Sequence, residues 1–163
     1  MLTLRRSCHG FVLALLAATL VLAACAPATL GDRSAPHRLD RDGPVAIRPG
    51  DQAYLQLDVP RDVFGVREAD LAPRWQPWTP NVARAVATQR FTIRDVIAPD
   101  GWELSLDRVV AYLRAGRSEA ELEVTLRLQV PADARLGGQR VRALLVDVSG
   151  RSSSFEIVTQ VGQ

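Results

Sequence analysis

Between Glu119 and Val130 the chain alternates without a break. Leu122, Val124, Leu126, Leu128 and Val130 are apolar, and Glu121, Glu123, Thr125, Arg127 and Gln129 between them are polar. A period of two sends successive side chains to opposite faces, so this run predicts a strand with one dry and one wet face. Asp51 to Val59 carries the same pattern, with Ala53, Leu55, Leu57 and Val59 on one face and Tyr54, Gln56 and Asp58 on the other. Arg140 to Val148 and Ser153 to Val161 predict two further strands. Ser149-Gly150-Arg151-Ser152 joins them as a hairpin-like turn in which Gly150 can take a positive φ. Two stretches are ambiguous. Leu104 to Leu113 reads as a strand, but Asp107 to Arg114 followed by Gly116 has the form of a short capped helix. Flanking strands at intervals of about ten residues favour the strand. Asn81 to Arg90, with Asn81 as a candidate N-cap, stays open between strand and helix. Short strands bounded by Pro, Gly and Asp predict an all-β, antiparallel sandwich over residues 44–163.

The chain before Val45 has no such alternation. Residues 1–24 have the three parts of a secretory signal: Arg5 and Arg6, an apolar stretch from Phe11 to Leu22, and the small pair Ala23-Ala24. Leu22-Ala23-Ala24-Cys25 resembles the lipobox of bacterial lipoproteins. The resemblance implies diacylglycerol on the Cys25 thiol and cleavage between Ala24 and Cys25, leaving lipidated Cys25 as the new N-terminus. Two other readings compete: an uncleaved anchor running from Phe11 to about Leu30, and a plain secretory signal cut after Ala24 or Ala26. Residue 26 is Ala and not Asp, which by analogy with lipoprotein sorting favours the outer membrane where the host has two membranes. Residues 25–43 follow as a flexible tether rich in Pro, Gly, Asp and Arg, with His37 exposed in it.

Charge and residue types then narrow the chemistry. All 20 basic side chains are arginine, and loss of Arg5 and Arg6 with the leader leaves 18 arginines against 18 acids. A neutral mature chain lacks the clustered basic excess by which nucleic-acid binders displace counterions, so no nucleic acid is expected as a partner. It also argues against a polybasic membrane patch, so the membrane partner is lipid through acylated Cys25. The only cysteines are Cys8, in the leader, and Cys25; His37 is the one histidine left after processing. Ser-His-Asp, Cys-His and His/Cys metal arrangements are therefore out of reach of a folded site. No phosphate loop of recognised spacing occurs. Residue type alone allows a glycosidase-type carboxylate pair, but Glu119, Glu121 and Glu123 fall on the outward, solvated face of one strand. The expectation is a non-catalytic protein without cofactor or metal.

One segment does not read as scaffold. Pro73-Arg74-Trp75-Gln76-Pro77-Trp78-Thr79-Pro80 places two tryptophans and three prolines in eight residues, a stiff and extended loop. Rigid indoles on such a loop suit recognition of a sugar ring or of a protein, which makes Arg74, Trp75 and Trp78 the candidate binding loop. The alternative is that Trp75 and Trp78 fold back as a lid over an open end of the sandwich.

The order of turn and core signals resembles the bacterial Ig-like domains of secreted glycosidases and cell-surface proteins, the NPCBM-associated or NEW3 type. The residues carrying it are Ile47-Arg48-Pro49-Gly50-Asp51, Asp100-Gly101-Trp102-Glu103-Leu104, Leu113-Arg114-Ala115-Gly116 and Val130-Pro131-Ala132-Asp133-Ala134 with Gly137-Gly138. The resemblance covers most of residues 45–161 and departs between Arg61 and Arg90, where an extra segment interrupts the strand spacing. It implies a single Ig-like sandwich with Trp102 buried and a non-catalytic accessory role. The expected function is a lipid-anchored envelope protein serving as a structural or protein-interaction module. The alternative is a carbohydrate or cell-wall binding module that uses Trp75 and Trp78.

Overall fold

The structure is a computed structural model that describes residues 31–162. The leader, Ala24, Cys25 and the first part of the tether lie outside the described residues. The strands are β1 (His37–Arg38), β2 (Val45–Ile47), β3 (Gln52–Val59), β4 (Gln76–Thr79), β5 (Val82–Val86), β6 (Phe91–Ile97), β7 (Glu103–Arg114), β8 (Glu121–Gln129), β9 (Gly137–Asp147) and β10 (Ser152–Val161). Two single-turn helices, α1 (Arg61–Phe64) and α2 (Glu68–Leu71), fall between β3 and β4. One sheet has the order β1-β3-β8-β7-β5-β4 and the other β2-β10-β9-β6, which makes an all-β sandwich.

The dry faces of the alternating strands meet between the sheets. Leu55, Val124, Leu126, Val141, Leu145 and Ile157 are fully buried there, and Trp102 is buried with them. The β9–β10 turn forms where expected, with Gly150 at φ +84° and its N–H donating to the Asp147 carbonyl. The ladders are not all antiparallel. β1 runs parallel to β3 and β2 parallel to β10, so each sheet gains a short parallel strand at one edge. Alternation within a strand says nothing about the direction of its neighbour, and the sequence pattern was silent on both.

Both ambiguous stretches resolve by tertiary context. Residues 104–113 lie within β7, whose register against β8 shifts between Leu106 and Arg108. Asp107 is the extra residue of this bulge, and it reverses the parity of the strand. Leu104 and Leu106 pack inward before it, and Val109, Ala111 and Leu113 after it. The step of three from Leu106 to Val109 is what gave the stretch its helical look. Residues 81–90 are divided: β5 ends at Val86, and a 3₁₀ turn (Thr88–Arg90) carries the chain into β6 of the other sheet. The Thr88 hydroxyl accepts from the Val109 N–H at 3.0 Å and holds that crossing.

The segment that interrupts the Ig-like spacing closes one end of the sandwich. Phe64, Val66 and Leu71 are buried, and Phe64 meets Phe91 edge to face at 5.2 Å. Arg151 donates to the Phe64 carbonyl at 2.7 Å, tying this plug to the β9–β10 turn. Gly65 ends α1 at φ +55°, and a Cβ there would stand 2.7 Å from the same guanidinium. The positive φ favours glycine at this position, and a side chain there would also displace the Arg151 guanidinium.

Part of the expected tether is built into the sheet. Gly31 accepts from the Tyr54 N–H at 3.3 Å, and Leu39 donates to the Gln56 carbonyl at 3.0 Å. His37, expected exposed in a linker, is half-buried and pairs with Leu55. Arg33 reaches Asp107, at the bulge, at 3.0 Å. Residues 31–42 thus form a strap along β3. Its backbone donors and acceptors have the free edge of β3 as partner, which composition alone does not reveal.

Candidate functional site

The outer face of the larger sheet carries a groove of about 620 Å³. Its floor follows from strand register. Asp58 of β3 stands directly opposite Glu123 of β8, and Glu123 opposite Val110 of β7. One step along, Glu121 faces Tyr112, and Tyr112 faces Arg84 of β5. Trp78 of β4 forms part of the far wall, and Pro60 and Arg61, entering α1, form part of one end. Each of these β-strand residues except Trp78 points outward because its neighbours in sequence point into the core. Trp78 lies within the β-bulge between Pro77 and Thr79.

Trp78 is 52% exposed, and the Arg84 guanidinium lies over its ring at 3.8 Å from the centroid. A guanidinium covers one face of an indole, and the rest of the ring remains part of the groove wall. Such a cation–π contact fixes the ring orientation at an exposed site for about 0.5–1 kcal/mol. Tyr112, half-buried between the two acids of β8 and Arg84, is the second aromatic group.

The charges on the floor are unevenly matched. Gln56 is buried and donates through Nε2 to Asp58 at 2.8 Å and to Glu123 at 3.3 Å. Arg38, from the strap, pairs with Asp58, and its Nε is buried without a hydrogen-bond acceptor among the described residues. Glu121 is shared by Arg114 at 3.5 Å and Arg61 at 4.0 Å. Glu123 has no ion-pair partner among the described residues. Burial, and then the Asp58 charge opposite, push its carboxyl above the usual glutamate value. Burial also raises the Tyr112 phenol, with the Glu123 charge as the next contribution.

The structure separates the residues of the Trp loop. Trp75 is half-buried, packs against the core and donates from Nε1 to the Glu68 carbonyl at 2.7 Å, so it acts as part of the end plug. Trp78 stands on the groove. Arg74 is exposed in a separate hollow beside Arg84 and Arg108. The sequence-predicted loop therefore brings one of its three residues to the groove. Gln56, Asp58 and Glu123 were visible as outward positions of alternating strands, but nothing local marks that β3 and β8 align them. Arg38 lay in a segment without pattern, and Tyr112 lay beyond a bulge that disguised the strand. Glu121 and Glu123 are half-buried, not the freely solvated residues that alternation alone implied.

The other outer face carries a hollow of about 530 Å³ along β6, β9 and β10, on which Glu156 is bridged by Arg142 at 2.6 Å and Arg140 at 3.1 Å. The sheet edges are all blunted. β1 and β2 have two and three residues, β4 contains Pro77, and β6 is broken by a bulge at Arg94–Ile97 with Asp95 at φ +50°. Among the described residues no group of three His, Cys, Asp or Glu side chains is placed to hold a metal, and no helix is long and apolar enough to cross a membrane. No protein-family model matches the chain, and no curated protein matches it.

Proposed function

We propose that the chain is the precursor of an exported, lipid-anchored envelope protein whose sandwich binds a glycan, without turning it over, in the groove of the larger sheet. The observation that carries this reading is Trp78, half-exposed on the wall of a 620 Å³ groove whose floor is polar and partly desolvated. An indole held rigid by Arg84 offers an apolar face to the C–H side of a sugar ring at little entropic cost. Asp58, Glu121, Glu123 and Tyr112 offer acceptors for its hydroxyls. The anchor is Cys25, on the strength of its lipobox; the resemblance to accessory Ig-like domains agrees with a non-catalytic role. Outer-membrane placement follows from Ala26 where the host has two membranes.

A protein-interaction module is the second reading, favoured by Val96 and Ile97, which are 42% and 69% exposed on the edge strand β6. The bulge in that strand works against it, because a strand added alongside needs an uninterrupted row of backbone donors and acceptors. Calorimetric titration with envelope oligosaccharides tests the glycan reading. Trp78→Ala should weaken binding by about tenfold, the equivalent of ~1.4 kcal/mol, and leave the melting temperature within a few degrees. A wild-type protein that binds no glycan, or a Trp78→Ala variant that binds as well, would overturn it. Incorporation of labelled fatty acid tests the anchor: the wild type should take up label and Cys25→Ala should not.

A further inference from the structure

The groove floor pairs its acids unevenly. Asp58 and Glu123 are directly opposed across an antiparallel pair, an arrangement that costs stability. A cross-strand pair of this kind is ordinarily relieved by a cation between the two groups. Here Arg38 pairs with Asp58 and with Asp40 of the strap but not with Glu123, and Gln56 supplies only a neutral amide to Asp58 and Glu123. The neighbouring Glu121, by contrast, is shared by Arg61 and Arg114. The sheet thus pairs the acid at the groove's rim and leaves the acid at its centre without an ion-pair partner among the described residues, the Arg108 and Arg38 charges reaching it only from beyond salt-bridge distance.

The aromatic groups on the same face add to this asymmetry. Both Tyr112 and Trp78 line the groove, and an aromatic face attracts cations through its quadrupole. Trp78 already holds one cation, the Arg84 guanidinium. Resting on the glycan reading above, we infer that the groove selects a sugar chain bearing a free amine, with a glucosamine-type ammonium against Glu123 and Tyr112. A more distant ring of the same chain stacks on Trp78. β8 and β4 are three strand steps apart, about 14 Å at ~4.8 Å per step, so Glu123 and Trp78 are served by an oligomer and not by one ring. A neutral hydroxyl could donate to Glu123 but would leave the Asp58–Glu123 repulsion in place. An ammonium does both, and so the charge pattern favours it over an N-acetylated unit.

The test is titration of the full-length protein, purified in detergent, with three tetramers: glucosamine, N-acetylglucosamine and glucose. Low ionic strength and a pH at which the amines are charged keep the electrostatic contribution in view. The glucosamine tetramer should bind at least about tenfold more tightly than the other two. Glu123→Gln should remove that preference, weakening the glucosamine tetramer at least about tenfold more than it weakens the N-acetylated one, and Glu156→Gln, on the opposite face, should change nothing. Thermal melts of each variant exclude a folding defect as the cause. If the three tetramers bind alike, or Glu123→Gln weakens all three equally, amine selection is wrong and glycan binding stands. If none binds, the glycan reading itself fails, and the amine inference falls with it.

Discussion

Glu123 and Glu156 are the same residue type on the outward faces of two strands in one sandwich, and their surroundings drive them in opposite directions. Glu156 lies on the smaller sheet, where the Arg142 hydrogen bond and the Arg140 charge hold its carboxyl below the usual glutamate value. Glu123 lies on the larger sheet, where burial and Asp58 push it above. One face spends its charges on itself. The other keeps a half-buried carboxylate near Tyr112 without an ion-pair partner among the described residues. A cross-strand neighbour, not the residue itself, decides whether an outward glutamate is a surface ornament or a group available to a ligand.

The comparison presumes that both faces rest on one cooperative core, and the largest expected effect tests that. Phe64 plugs the end shared by the two sheets and is 2% exposed. Phe64→Ala should cost about 3–5 kcal/mol, and denaturant unfolding should remain a single transition. If hydrogen exchange instead showed one sheet loosening alone, the two glutamates would belong to independently stable units, and their contrast would lose its meaning.

The next effect has the opposite sign. Because the folded Glu123 carboxyl titrates above its unfolded value, the folded state holds the extra proton between the two. Stability therefore falls as pH rises through that interval, and the cost is present in full above the folded value. Glu123→Gln should stabilise the protein at pH 7 by roughly 0.2–1 kcal/mol, the scale of an opposed cross-strand pair. Below the ordinary glutamate value the variant and the wild type should converge. A loss of stability at pH 7 would show that Glu123 is already satisfied within the fold.

The smallest effect is at Glu156. Its lowered carboxyl gives stability that is present above the ordinary glutamate value and is lost as pH falls through the depressed one. The group lies on the solvent face of its sheet, so water and salt screen the pair. Glu156→Gln should give a slight loss at neutral pH and low salt that disappears at high salt. A loss larger than the gain at Glu123 would reverse the ranking of the two faces.

Particular elements mark how far local pattern reaches. β3, β8, β9 and β10 were legible because each buries one face against the opposite sheet, and a period of two survives wherever that holds. β7 was obscured by a single inserted residue, Asp107, which broke the period without ending the strand. β5 was obscured by its alanines, which fit strand or helix alike. The strap at residues 31–42 was illegible because it pairs mainly through its backbone, and backbone groups are the same in every residue. Among candidate site residues, Trp78 was marked by its composition, whereas Trp75 carried the same mark and was taken into the end plug.

What the sequence determined alone was set by properties read one segment at a time: the alternation that makes an all-β sandwich, the turn at Gly150, and the balance of 18 arginines against 18 acids from Cys25 onward, with no cysteine after it. The strand order, the parallel edges and the groove were decided only in the tertiary structure. Asp58 and Glu123 are 65 positions apart in the chain and face each other because β3 and β8 pair in one register. A shift of that register by one residue would turn every inward side chain outward, so burial of the core selects it. The two acids follow the register that the core requires.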